Sequence, residues 1–525
     1  VNNTIVGNSA QVSGGAVYAG GGTPGIINNI LAYNTSGLYK SESATLVFRN
    51  NDVFGNDEYD YYGMLNPSGM EGNLSVAPGF AAAPLRNIHL QSNSPLKNAG
   101  STVDAVGTTD MDGQPRVQGA NVDIGADESD NTTYPAVQTV VRVSPAGDDT
   151  KDGSAWSTAK RTVQAAVDAV AGGGEVWIAA GTYSGKVQLQ NGVSLYGGFA
   201  GYETTREARN PSGNYSILEA DSLSDTITLS VGGCQIVDGV IIRHTSVAMY
   251  GINSRFCGVL VNNCEITSSA NGINSDGSFL RVRNSRLHSN QYGVRGRFNG
   301  EITGCTFSNT TGYGVDVIGD PSISDNLFSY PGVGAVMVSG AAVVASNTIT
   351  SAGTANYGVW AIGASHVIGN RITNTTYGIY ATGATVSISS NVVTQTKESA
   401  ISVNLAAGTE TVIGYNTITA STKAAIWVKS GSPLINNNVI KNNQSTAAGG
   451  ALYLEGANAV LANNLIANNR TTDKGAGIYV HSGTVKVVNS TLTHNTSTQD
   501  GGALYARAGN VSLINTLVSF NSSGI

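Results

Sequence analysis

The sequence predicts an all-β fold, a right-handed parallel β-helix with coils of about 20–27 residues and a short α-helical cap near residues 158–171. Three observations carry this expectation. Residue signatures recur every 20 to 27 positions, β-branched side chains alternate in short runs between them, and 66 glycines accompany abundant Asn, Ser and Thr. The period is too short for a propeller blade and lacks a leucine-rich consensus. It suits a coil of about three short strands, with successive coils roughly 4.8 Å apart.

One signature is Tyr-Gly-Val/Ile, at Tyr250, Tyr292, Tyr313, Tyr357 and Tyr377, with Asn271-Gly272-Ile273 and Val333-Gly334-Ala335 filling the gaps. A second is asparagine at Asn442, Asn468, Asn495 and Asn521, in steps of 26, 27 and 26. Gly449-Gly450-Ala451-Leu452-Tyr453 accompanies this file and repeats at Gly501-Gly502-Ala503-Leu504-Tyr505, with a variant at Gly475 to Tyr479. The same pair of signatures opens the chain, at Asn8, Asn34 and Asn56 with Gly14-Gly15-Ala16-Val17-Tyr18 between. Gly and Asn fit corners that need positive φ, and aligned asparagines can hydrogen-bond as a ladder. The cap follows from Val163, Ala166, Val167 and Val170, apolar at i, i+3, i+4 and i+7, closed by Gly172-Gly173-Gly174. Such a helix covers the open strand edges of a first coil.

Of 525 residues, 28 are Lys or Arg against 35 Asp or Glu, a net charge of -7, and only 12% are charged. That balance argues against a nucleic-acid partner, which needs a basic stripe. A hydrophobic content of 41% argues against disorder. No apolar run approaches the ~18 residues of a membrane span, so no span and a soluble chain are expected. Four cysteines (Cys234, Cys257, Cys264, Cys305) lack zinc-site spacing. Cys234 and Cys257 are one coil apart, close enough for a disulfide or for two free thiols, whereas Cys264, Ser285 and Cys305 share one inward position.

Several segments resemble a known family. Val143-Ser144-Pro145-Ala146-Gly147-Asp148-Asp149, Asp152-Gly153-Ser154-Ala155-Trp156, Val176-Trp177-Ile178-Ala179-Ala180-Gly181-Thr182-Tyr183 and Ser194-Leu195-Tyr196-Gly197-Gly198-Phe199 look like the opening segment of bacterial surface β-helix proteins. Earlier in the chain, His89-Leu90, Ser94-Pro95-Leu96, Asp110-Met111-Asp112-Gly113-Gln114-Pro115-Arg116 and Val122-Asp123-Ile124-Gly125-Ala126-Asp127-Glu128 resemble that family's ending. The family is the right-handed parallel β-helix proteins with polymorphic-outer-membrane-type repeats and a choice-of-anchor Q ending. Lys97-Asn98-Ala99-Gly100 departs from it, since the family usually has Asp before Ala-Gly. The resemblance implies an extracellular or cell-surface location in a bacterium and lends no chemistry. It divides the chain into terminal coils (1–56), an ending or capping segment (57–130), a linker (131–140), an opening segment with its capping helix (141–190) and the main β-helix (191–525). Because the ending precedes the beginning, the sequence suggests a window on a tandem array or a unit that stacks head to tail, with a copy of itself as partner through open terminal coils.

Function is read in two classes. A structural solenoid in a surface adhesin or fibre is the main expectation; the alternative is a carbohydrate-active enzyme, lyase or epimerase, or a glycan-binding module. The charged stretch Arg281, Arg283, Arg286, His288, Arg295 and Arg297 is where a polysaccharide lyase would place a base and uronate-neutralising arginines, with Arg283 and His288 as the catalytic candidates. Stacking by 20 or 21 residues instead sets Arg286 over Glu265, Arg281 under Glu301, Arg297 over Asp276 and Arg295 under Asp316, leaving Arg283 facing Asn262 and Thr303. Tyr292, Tyr313, Tyr357 and Tyr377 are candidate sugar platforms for surface glycans. Asp110 and Asp112 begin a calcium-loop pattern but lack its later ligands, so no cofactor is expected unless they hold Ca²⁺. The histidines fall in no common file and propose no triad.

Overall fold

A computed structural model describes the chain apart from residues 9, 11–13, 57–58, 83–86, 132–139, 171–173, 191, 222, 230–233, 245–248, 330–331, 352–355, 384 and 523–525. Most of the expected linker, the first two glycines of the expected helix stop and the side chain of Cys234 lie outside the described residues.

The first body is a short stack of parallel coils. Thr4–Val6, Ile30–Ala32 and Asp52–Phe54 pair in register, as do Val17–Ala19, Leu38–Lys40 and Tyr61–Tyr62. Coil strands therefore continue past residue 56. Leu31 and Val53 point into a core with Leu38 and Phe48, while Ile30 and Ala32 on the opposite face are also buried, against Leu90, Leu96 and Ile124 of the segment expected to be an ending. That segment lies along the outside of the first sheet and pins it by hydrogen bonds: Gly125 N–H to Asn28 O (3.0 Å) and Ala126 N–H to Thr4 Oγ1 (3.0 Å).

The second body is a long parallel solenoid of one 27-stranded and one 15-stranded sheet. It opens on the capping helix, Val163–Ala169, with Val163, Ala166, Val167 and Val170 all buried and Thr162 accepting the Ala165 N–H at its start. The helix is shorter than the expected 158–171, because residues 156–158 form a separate 3₁₀ turn.

Repetition gives each interior position its own column. The middle residue of every three-residue strand in the 15-stranded sheet points inward, and Ile266, Leu287, Phe307, Phe328, Ile349, Ile372, Val393, Ile418, Ile440, Ile466 and Leu492 are all at most 2% exposed. Phe307 and Phe328 stack at 4.7 Å, the strand spacing itself. Corners beside this strand take positive φ, as at Asn263, Asn284, Asn437, Asn463, Asn489 and Asn515 (48–56°), which asparagine adopts at low cost.

Just past the corner stand the ladders. Asn326, Asn347, Asn370, Asn391, Asn416, Asn438 and Asn464 are buried, and each Oδ1 after the first accepts both the backbone N–H and the Nδ2–H of the rung before it. Asn391 shows the remaining bond, donating Nδ2–H to Val367 O at 2.9 Å. Each carboxamide is thus satisfied away from water, as burial demands. A second ladder runs Asn443, Asn469, Asn495 and Asn521 in steps of 26. The expected step of 27 mixed two files: Asn442 and Asn468 are corner residues (φ 58° and 53°), and the rungs are their successors.

Candidate functional site

The charged stretch folds as its register predicts. Arg286 is the neighbour of Glu265, Arg281 of Glu301, Arg297 of Asp276 and Arg295 of Asp316. Arg295 Nε lies 3.0 Å from Asp316, and Arg286 lies 3.6 Å from Glu265, which also accepts His288 Nε2 at 3.0 Å. The expectation of an unpaired Arg283 does not hold. Asn262 and Thr303 are its strand neighbours, but the side chain reaches diagonally to pair with Glu301. A long guanidinium spans two residues along a neighbouring strand, which register alone does not register as contact.

A groove of about 830 Å³ opens beside this stretch, lined by Arg206, Arg209, Pro211, Tyr215, Glu265 and Arg286 among others. Its charges are also compensated: Arg206 by Glu175 at 2.6 Å and Arg209 by Asp238 at 2.8 Å. An arginine held by a carboxylate one coil away is a poor uronate clamp, because the substrate must displace that partner.

The acidic motif near residue 110 is a buried brace. Asp110 Oδ1 accepts the Asp112 and Gln114 N–H groups (3.0 and 2.8 Å) and Oδ2 that of Glu128 (3.1 Å), so both oxygens of this metal candidate serve a turn. Asp123 accepts from Asn98 and Ser129, Glu128 from Asp123, and Asp127 from Leu90. Arg116 crosses beneath to Ala126 O. Burial pushes the Glu128 carboxyl up to about 8, with Asp123 adding to the effect, and Asp127 up to about 6. Asp112 points elsewhere, to His89.

Cys257, Cys264 and Cys305 are buried, and burial pushes the thiols of Cys264 and Cys305 up to about 12, so these two pack as inert small side chains.

The aromatic candidates divide. Tyr292 lies under the Arg295 guanidinium, 4.2 Å from its ring centre. Tyr313 is only 7% exposed because its ring fills the space above Gly334, where any Cβ would come within 2.4 Å of it. The file there runs through Gly334 and not Val333, since Gly334 pairs with both Tyr313 and Tyr357. Tyr357 and Tyr377 stack at 5.2 Å. Beside them, three residues on, lies a longer file that the sequence reading used only as a repeat marker. Register carries it through Trp360, Tyr380, Ser402, Trp427, Tyr453, Tyr479 and Tyr505. Tyr357, Trp360, Tyr377 and Tyr380 form one cluster with ring centres 5.0–5.8 Å apart. Tyr453, Tyr479 and Tyr505 stack at 5.1 and 5.5 Å, and Trp427 stands at 83° to Tyr453. Rings stacked along the rod hide their faces in one another, whereas the Trp427 plane runs along the rod. The 26-residue spacing of Tyr453, Tyr479 and Tyr505 is plain in the sequence as a repeat; the missed signal was its extension one step back to Trp427.

A family model described as a right handed beta helix region matches residues 227–377 and 363–525, more than half of the chain. No curated protein matches it. Solved structures that resemble it include the catalytic unit of thermostable GH87 alpha-1,3-glucanase from Streptomyces thermodiastaticus strain HF3-3 (16% identity, 69% of this chain and 66% of that one, TM-score 0.35). Others are a catalytic domain of GH87 alpha-1,3-glucanase in complex with nigerose (14%, 75% and 72%, 0.36) and the A-module of Azotobacter vinelandii mannuronan C-5 epimerase AlgE6 (16%, 68% and 94%, 0.27). The chain spans just under two thirds of the first glucanase chain. Among the described residues, no helix is long and apolar enough to cross a membrane.

Proposed function

Because the chain belongs to the right-handed β-helix family, whose fold lays side chains out in axial files, we propose that it binds extracellular polysaccharide along its aromatic file. The observation that carries this reading is the half-exposed run from Trp360 and Tyr380 to Trp427, Tyr453 and Tyr505 on one outer face of the long sheet. Three coils separate Trp360 from Trp427, about 14 Å at the usual strand spacing, room for a few sugar rings laid along the rod. Aromatic rings offer apolar faces to the C–H side of a sugar, and tyrosine adds a hydroxyl at the rim. Trp427, whose plane follows the axis, is the principal platform, and the Tyr357, Trp360, Tyr377 and Tyr380 cluster is the second.

Affinity electrophoresis against neutral glucans and uronate polymers tests it. The reading expects retardation by at least one of them, weakened about tenfold by Trp427→Ala and by Trp360→Ala, with Arg283→Ala unchanged. Retardation by none, or equal retardation of the tryptophan variants, overturns it. Release of reducing ends or of unsaturated uronate, lost on Arg283→Ala or His288→Ala, would favour an enzyme instead.

A second reading, a structural rod in a surface adhesin or fibre that stacks with copies of itself, draws on the compensated surface charges and the continuous asparagine ladders. Sedimentation at rising concentration separates the two readings: filaments favour the rod, while a monomer that binds glycan favours the first.

A further inference from the structure

We infer that His89, Asp112 and Asp127 form a binding site for one divalent transition-metal ion of the zinc class, which ties together three separate stretches of the ending segment. The three residues come from the strand Asn87–Leu90, from the turn braced by Asp110, and from the stretch after Ile124. One nitrogen or oxygen from each lies within 4.8 Å of the others.

Two further observations point to a ligand. Asp127 is 3% exposed, and its Oδ2 accepts the Leu90 N–H at 2.7 Å, while Oδ1 takes no hydrogen bond among the described residues. That oxygen, on a side chain otherwise enclosed, is open to a cation. Secondly, both nitrogens of His89 face acceptors: Nδ1 is 2.5 Å from Asn87 Oδ1 and Nε2 is 2.7 Å from Asp112 Oδ2. That arrangement is satisfied either by two N–H donors or by one N–H donor and a cation held between Nε2 and the carboxylate. The Nδ1–Asn87 contact is the outer hydrogen bond that fixes a metal-binding imidazole with Nε2 toward the ion.

The donor set decides the class. One imidazole and two carboxylates suit zinc or a similar borderline ion, with water completing the shell, whereas Ca²⁺ wants six to eight oxygens. Donors around zinc at ~2.1 Å stand about 3.4 Å apart, so the site closes with a small opening of the His89–Asp112 pair and an inward turn of Asp112, which is 37% exposed and free to rotate.

The full chain, stripped with a chelator, should take up one Zn²⁺ in isothermal titration, uncontested by millimolar Ca²⁺. Hydrogen exchange at residues 87–90, 110–113 and 122–128 should slow together on addition. His89→Ala and Asp112→Asn should each weaken uptake at least tenfold. Asp112→Asn folds, because Asp110 and not Asp112 braces the turn. Absence of stoichiometric uptake by the parent chain overturns the inference, as does uptake unchanged in Asp112→Asn or zinc protection confined to other segments.

Discussion

The two bodies are built from the same coil, with asparagine rungs, positive-φ corners and single-file apolar columns, yet they treat the outside of their sheets in opposite ways. In the main solenoid the outer face meets water once past the buried Trp177, Tyr196 and Phe199 of its first coils. Its charges are met one coil away, as in Arg295–Asp316 and Arg243–Glu219, and such pairs are held at the surface. In the first body the outer face is apolar at Ile30 and Ala32 and is covered by the ending segment. Covering it buried ionisable groups with it. Asp52, on the same sheet, is fully buried, and burial pushes its carboxyl up to about 7. Its Oδ1 accepts the Val76 N–H, and its Oδ2 has no partner among the described residues. Repetition therefore sets the inside of both bodies, and what lies on the outside sets their response to solvent.

The sharpest way to test the shared interior is Phe328→Ala. It deletes one ring of a stacked pair that cannot collapse without moving neighbouring coils, and should cost about 3–5 kcal/mol in denaturant unfolding. The contrast in exteriors predicts a pH response strongest in the first body. Folded Asp52 keeps its proton up to about pH 7 while the unfolded chain releases it near the ordinary 3.8, so between those values the folded state binds more protons. Stability from this group is then intact below about pH 4 and is lost as pH rises to 7, by roughly 2–4 kcal/mol. Hydrogen exchange in residues 25–54 should quicken over that range more than in residues 325–500, and Asp52→Asn should reduce the response, leaving the part that Asp127 and Glu128 supply. An equal response in both bodies breaks the comparison. Asn370→Ala should cost about 1–3 kcal/mol, because it strands the Asn347 N–H and Nδ2–H donors on one side and takes an amide donor from Asn391 Oδ1 and Val344 O on the other. Arg283→Ala, at the exposed surface, should cost at most about 1 kcal/mol, less in high salt.

Coil-to-coil register was legible in the sequence because it depends on spacing alone. Arg286 over Glu265 and Arg295 under Asp316 were placed by counting residues, and the capping helix by its four apolar positions. Reading failed where two files ran side by side. Asn442 and Asn443 are adjacent and both repeat, but only the second forms rungs; Val333 and Gly334 are adjacent, and only the space under the Tyr313 ring shows which belongs to the file. The motifs between His89 and Glu128 stood out in the sequence, but their work did not. Nothing in the sequence marked Asp110, Asp123, Asp127 and Glu128 as buried, and it took partners from Leu90, Asn98 and Ser129 to show a buried network. His89 pairs with Asp112 across 23 residues with no repeat to announce it. The aromatic file was in view as a repeat marker, and its continuity with Trp360 and Tyr380 emerged only from strand pairing.

The asparagine ladder has a consequence for how such a chain changes length. Each rung accepts from the coil before it and donates to the coil after it, so every rung presents the same pair of faces. A duplicated 26-residue stretch such as that from Asn469 to His494 would slot between its parents with every bond remade, and its deletion would let the flanking coils close on each other. The ladder is also directional, so an inverted copy would set acceptor against acceptor. Whole coils in one orientation are therefore the natural unit of gain and loss, and a gene of this kind can drift in copy number while each protein it encodes stays fully hydrogen-bonded.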